Sequence, residues 1–193
     1  MATPLVAGCA AILREVLAKH GNMTPSAALI KALIINGAVS LPGVPMEAQG
    51  FGRVNLKNSV AMVTAAMRGV DRPFSPSGFN EGNPLKQGEK FEFDIEIPSN
   101  PCQGTKGDFK VTLVYTDPPQ GMLQNNLNLV VLGPDEKKRY GNGFEEDRYD
   151  EVNNVEQVVL REIPAGMIKM IVWAQKITAP SGEQPFALAW SLM

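Results

Sequence analysis

Phe91-Glu92-Phe93-Asp94-Ile95-Glu96-Ile97 sets an apolar side chain at every second position, with a carboxylate between each pair. A period of two describes a strand with one buried face and one acidic face in water. Phe109, Val111, Leu113 and Tyr115 repeat the pattern. Further strand candidates at 127–132, 137–141, 155–161, 168–175 and 186–192 are separated by Pro, Gly or Asn clusters. Seven or so short strands without intervening helices predict an antiparallel β-sandwich of the jelly-roll kind over residues 88–193.

Upstream of that region the period changes. Leu5, Cys9, Ile12, Leu13, Val16 and Leu17 recur at spacings of three and four, which predicts an amphipathic helix from Pro4 to a stop at Gly21. Thr24-Pro25 opens a second helix, with Leu29, Ile30, Leu33 and Ile34 as its stripe and Asn36-Gly37 as its end. A loop with Pro42, Pro45 and Gly50-Phe51-Gly52 follows, and Val54, Leu56, Val60, Met62 and Val63 indicate a third helix to about Met67. Residues 71–87, carrying Pro73, Pro76, Pro84, Gly78 and Gly82, read as a linker without an element of its own. The expected organisation is α+β, with helices in 1–70, a linker in 71–87 and a sandwich in 88–193.

Charge follows the same division. Residues 1–70 hold six basic and two acidic residues, and the remainder holds 12 basic and 18 acidic, for a net charge of -2 overall. No basic surplus points to nucleic acid or an anionic membrane. Apolar runs fall well short of the roughly 18–20 residues that span a bilayer. No charged n-region and apolar run open the chain, so no signal peptide is expected in it. Neither of the two cysteines sits in a metal-binding spacing, which excludes a zinc site and a disulfide framework.

The opening Met1-Ala2-Thr3-Pro4, followed by Leu5-Val6-Ala7-Gly8, resembles the segment that follows the nucleophilic serine of subtilisin-like serine proteases. Gly50-Phe51-Gly52-Arg53-Val54-Asn55 is similar to the tail of the same catalytic domain. Val114-Tyr115-Thr116-Asp117-Pro118-Pro119, Leu127-Asn128-Leu129-Val130-Val131, Tyr140-Gly141-Asn142, Val152-Asn153-Asn154-Val155-Glu156 and Pro185-Phe186-Ala187-Leu188 resemble the C-terminal β-barrel of alkaline subtilases, a relative in architecture of the kexin and furin P domain. The resemblance implies the last helices of a subtilisin-like α/β catalytic domain followed by a jelly-roll appendage. The parent would hydrolyse peptide bonds of polypeptide substrates through a Ser-His-Asp triad and would be secreted or extracytoplasmic.

In that alignment the nucleophile precedes Met1, so no catalytic residue lies in this chain and it is expected to be inactive alone. His20, its only histidine, falls at a helix end and reads as an ordinary surface histidine rather than a general base. Thr3 has no base beside it, Cys9 lies on the apolar stripe as a small hydrophobe, and Cys102 lies in a polar turn. Trp173 and Trp190 sit in strand patterns and read as core, and the scattered methionines read as core filler. The Asn22-Met23-Thr24 sequon is a short pattern that arises often by chance.

The resemblance also implies Ca²⁺, with Asp117, Asn126, Asn128, Asp147, Asp150, Asn153, Asn154 and Glu156 as candidate ligands. The family's Asn-Asp-Leu-Asp-Leu pattern reads Asn125-Asn126-Leu127-Asn128-Leu129 here, which removes two carboxylates from that site. Asn-rich turns between strands are the alternative reading of these residues. A second reading of the whole chain is a stand-alone interaction module that binds protein or glycan through its sandwich loops. If the sheet of the parent fold is absent, residues 1–70 must dock on the sandwich, self-associate or be marginally ordered, because their apolar stripes would otherwise face water.

Overall fold

The computed structural model describes residues 2–21, 24–68, 77–98, 107–119, 121–143 and 148–192. Helices α1 (Ala2–Lys19), α2 (Ala27–Gly37), α3 (Met46–Gln49) and α4 (Leu56–Arg68) precede eight strands. These are β1 (Gly78–Lys86), β2 (Lys90–Ile97), β3 (Gly107–Tyr115), β4 (Asn126–Leu132), β5 (Lys138–Tyr140), β6 (Val155–Ile163), β7 (Gly166–Lys176) and β8 (Glu183–Leu192). They form two four-stranded sheets, ordered β1-β8-β3-β6 and β2-β7-β4-β5, and every pairing is antiparallel. The chain is an α+β fold built on a β-sandwich. Among the described residues no helix is long and apolar enough to cross a membrane.

The alternation in β2 is realised as expected. Ile95 and Ile97 are buried in the sandwich core with Phe91 and Phe93 packed against it, while Glu92, Asp94 and Glu96 face solvent. Lys169 of the neighbouring β7 meets Glu92 at 3.1 Å on that wet face. Trp190 is a core residue, whereas Trp173 is half-buried outside the core cluster, its ring against Tyr149. The expectation that both tryptophans are core is corrected for Trp173. Met62 and Met170 are buried, but Met46, Met122 and Met167 are exposed, so the methionines are not all core filler.

The stretch 71–87 is corrected too, because residues 78–86 of it form β1. Its glycines look like breakers but serve packing. A Cβ on Gly82 would lie 2.1 Å from Cζ of Phe186, and one on Gly78 would lie 2.9 Å from the Trp190 ring. Both aromatic rings belong to β8, the partner of β1. Pro84 falls where the register shifts between Gly82 and Leu85, on an edge strand, a place that tolerates proline.

Helix α2 lies on the outer face of the β1-β8-β3-β6 sheet. Leu29, Leu33 and Ala32 form a second buried cluster with Val114, Val155, Ala187 and Ala189 of the sheet. Alanines on β8 let the helix approach closely, and each fully buried leucine contributes roughly 1.5–3 kcal/mol. Polar groups are satisfied across the same interface. Asn36 Nδ2 donates to Ser191 Oγ at 3.0 Å, Thr112 Oγ1 donates to Asn36 Oδ1 at 2.9 Å, and Lys110 Nζ donates to the Ala38 carbonyl at 2.7 Å. Docking on the sandwich, one of the three outcomes foreseen for residues 1–70, is seen for α2 and α4. Helix α2 begins later than expected, with Ser26 as its N-cap accepting from the Leu29 N–H at 3.0 Å. In α1 only Leu13 and Leu17 are fully buried, while Leu5 is 70% exposed, so the stripe predicted to be apolar throughout is covered only in its second half.

Gly50-Phe51-Gly52-Arg53-Val54-Asn55 earns its pattern locally. Gly52 has φ 109°, and a Cβ there would meet the Val39 carbonyl at 2.5 Å. Arg53 pairs with Val39 in an isolated antiparallel bridge, and Asn55 Oδ1 accepts from the Asn58 N–H at 3.2 Å in the first turn of α4.

Candidate functional site

Among the described residues of the helical segment, Thr3, His20 and Cys9 do not come together as a hydrolytic centre. Thr3 and His20 are exposed, and Cys9 is half-buried. Cys102 and Asp147 lie outside the described residues, as do Asn22 and Met23 of the sequon.

Buried polar side chains concentrate instead at the end of the sandwich where β3 exits and β4 and β6 enter. Glu156, in the second position of β6, is 1% exposed. Its Oε2 accepts the Leu129 N–H at 2.6 Å, and its Oε1 has no partner. Gly141 makes room for it, since a Cβ there would lie 2.0 Å from Oε2. Burial pushes the Glu156 carboxyl up to about 8; the Leu129 N–H opposes this and the charge of Asp150 adds to it. Burial thus favours the protonated form of this carboxyl in the fold.

Asp150 is buried and fully engaged. It accepts from Asn142 Nδ2 at 2.6 Å, Asn153 Nδ2 at 2.7 Å, and the N–H groups of Val152 and Asn153 at 2.9 and 3.0 Å. Burial raises its pKa, but those donors outweigh burial and hold it below the usual carboxylate value. Asp117 closes the β3–β4 loop by accepting the Gln124 and Asn125 N–H groups, both at 2.8 Å. Asn154 Nδ2 donates to the Tyr115 carbonyl at 3.0 Å. The Tyr115 hydroxyl is pushed far above its ordinary value, by burial first and then by the charges of Glu156, Asp117 and Asp150, with the Leu127 backbone contact opposing.

Asn126 and Asn128 are two apart on β4 and both are buried. Their Nδ2 groups donate to the same Gln175 Oε1, at 3.3 and 2.8 Å, while both Oδ1 atoms lack partners. Buried oxygens without partners are rare and call for an ion or an ordered water. Of the predicted ligands, the structure thus places Asn126, Asn128 and Glu156 with an unmatched oxygen each. Asp117, Asp150, Asn153 and Asn154 hold the surrounding loops. Among the described residues no three His, Cys, Asp or Glu side chains gather into a group that could hold a metal ion. Sequence reasoning gave Asn142 no role beyond the Tyr140-Gly141-Asn142 resemblance and missed Gln175, which occupies an ordinary outward strand position.

No protein-family model matches the chain. It is 28% identical over 173 residues to the serine protease/ABC transporter B family protein tagA of Dictyostelium discoideum, a match over 81% of this chain and 9% of that protein. The chain thus spans under a tenth of that relative's length, and the similarity supports a protease-related origin. Among solved structures, the Aeromonas hydrophila periplasmic inhibitor of g-type lysozyme, PliG, has TM-score 0.34 and 14% identity, over 61% of this chain and 86% of its own. The Bacillus licheniformis lipase BlEst2 in its propeptide form also has TM-score 0.34 and 14% identity, over 59% of this chain and 21% of its own. Likenesses of that size carry no functional argument.

Proposed function

We propose that this chain is the C-terminal part of a subtilisin-like serine endopeptidase, comprising the last helices of the catalytic domain and a jelly-roll appendage that stabilises them. The observation that carries this reading is the similarity to a protein named as a serine protease, which runs over most of the chain. The sheet orders β1-β8-β3-β6 and β2-β7-β4-β5 support the jelly roll, since every connection between consecutive strands except β4–β5 crosses from one sheet to the other. The helix headed by Ala2-Thr3-Pro4 supports the placement of the nucleophile just before Met1. There a serine would have unpaired N–H groups and the positive helix end beside it, and both stabilise the oxyanion formed on attack. Docking of α2 and α4 on the sandwich accounts for an appendage that supports its catalytic domain. The parent would act outside the cytoplasm on polypeptide substrates.

The test is labelling by a serine-directed phosphonate, followed by mass spectrometry. The 193-residue chain should neither label nor cleave peptide substrates. The longer product read from the upstream coding sequence should label at the serine before Met1. Stoichiometric labelling of the chain alone, or an in-frame stop just upstream of Met1, would reject the assignment.

Calcium belongs to the same reading. Asn126, Asn128 and Glu156, each with one oxygen lacking a partner, are the residues that would hold a structural Ca²⁺ in that reading. With two amides in place of carboxylates the site should be weak, in the range of about 0.1–1 mM that low ligand charge gives. Calorimetric titration with CaCl₂ that shows no heat, and no rise in melting temperature at saturating calcium, would remove the ion from this account.

A further inference from the structure

The β3–β4 loop and the segment before β6 enclose an open cleft of about 450 Å³. Its walls include Asp117, Met122, Leu123, Glu151, Val152 and Asn154. Two of these are large apolar side chains almost entirely in water, Met122 at 82% and Val152 at 78% exposed. Single exposed apolar residues are unremarkable, but here two line one concavity.

The loops that carry them are pinned. Asp117 closes the first through the Gln124 and Asn125 N–H groups. Asn125 ties the same loop to β8 and its approach: Nδ2 donates to Gln184 Oε1 at 2.6 Å, and Oδ1 accepts the Thr178 and Ala179 N–H groups at 2.8 and 3.0 Å. The second loop is held by Asp150 through the Val152 N–H and by Asn154 through the Tyr115 carbonyl. Apolar tips on loops fixed from beneath are pre-organised, so little conformational freedom is lost when something settles on them.

Among the described residues, the charged side chains in the cleft wall are Asp117 and Glu151, both acidic. Asp150 stands next to Glu151 and adds to the negative charge beside the cleft. We infer that this cleft is an interaction site for a polypeptide segment that presents an aliphatic side chain beside a lysine or arginine. Met122 and Val152 clasp the aliphatic group, and the unbranched Met122 adapts to its shape. Asp117 and Glu151 attract the cation. The inference stands on the sandwich alone and does not depend on a protease origin.

The test uses the whole 193-residue chain and a fluorescein-labelled peptide of alternating leucine and lysine, followed by anisotropy. A matched peptide with glutamate for lysine is the control. The lysine peptide should bind saturably and weaken as salt rises, and the glutamate peptide should not bind. Met122→Ser combined with Val152→Ser, and separately Glu151→Gln, should each weaken binding about tenfold or more. These side chains are exposed, so the variants should keep the parent's circular dichroism and melting temperature. Equal binding of both peptides, unchanged binding by the variants, or no saturable binding would overturn the inference. Free argininamide binding as tightly as the peptide would replace the polypeptide occupant with a small cation and overturn it as stated.

Discussion

Glu156 shows how one residue's meaning changes between sequence and structure. In the sequence it stands after Val152-Asn153-Asn154-Val155 as one carboxylate among several candidates for an ion. In the fold it is buried, with one oxygen bound to the Leu129 N–H and the other unmatched. An acid whose folded pKa is raised keeps its proton in the native state over a window in which the unfolded chain has lost it. Its contribution to stability is therefore greatest at low pH and falls as pH rises from 4.5 to about 8. The slope is at most about 1.4 kcal/mol per pH unit. Glu156→Gln keeps an oxygen for the Leu129 N–H and removes the titration. The difference in unfolding free energy between the two proteins, measured by urea titration in the absence of divalent ions, should therefore grow in favour of Gln across that window. A difference that does not vary with pH would mean that Glu156 is ionised in the native state. Asp150 next to it behaves oppositely, because four donors converge on it and its carboxyl lies less deep. Hydrogen-bond supply and depth together separate the two carboxylates.

At the scale of elements, β1 marks the limit of pattern reading. Asn80-Glu81-Gly82-Asn83-Pro84 carries turn residues throughout, and no alternation announces a strand. The structure makes it one because β8 offers an unpaired edge and two bulky rings, Phe186 and Trp190, that require a partner without side chains opposite them. Gly82→Ala should therefore destabilise the fold by roughly 1–3 kcal/mol, the usual cost of overpacking a buried contact. Gly121→Ala, whose Cβ would meet nothing within 4 Å, serves as the control. Equal urea midpoints for the two variants would show that the Phe186 ring simply moves aside. The helices are the opposite case. The boundaries of α1, α2 and α4 shift by only a few residues from the periodic pattern, since caps such as Ser26 lie next to the stripes they terminate, while the four-residue α3 falls in a stretch read as a loop.

On the scale of the molecule, the helical and sandwich segments are joined by a polar latch within an apolar seam. Asn36 links α2 to β3 and β8 through Thr112 and Ser191, and Gln157 of β6 donates to the same Thr112 hydroxyl at 2.9 Å. Asn36→Ala leaves these hydroxyls buried without their partner, a loss of roughly 1–3 kcal/mol. Thr112→Val alone should cost a similar amount, and the double variant less than the sum, because the two side chains form one network. Additive losses in a urea-based double-mutant cycle would show that the latch does not act as a unit.

Much of this architecture was written in local patterns. Period two over Phe91–Ile97 and Phe109–Tyr115, and period near four over Leu5–Leu17 and Leu29–Ile34, determined the strands, the helices and the class of fold, because each pattern states which face must leave water. Local sequence could not state which surface receives each face. That α2 lies on the β1-β8-β3-β6 sheet, that Leu5 stays exposed while Leu13 does not, and that Asn126 and Asn128 are buried follow from contacts between residues far apart in the chain. Burial is a property of the assembled surfaces. The same asparagine is a solvated turn residue or a buried oxygen in want of a partner according to what folds over it, and only the tertiary structure decides that.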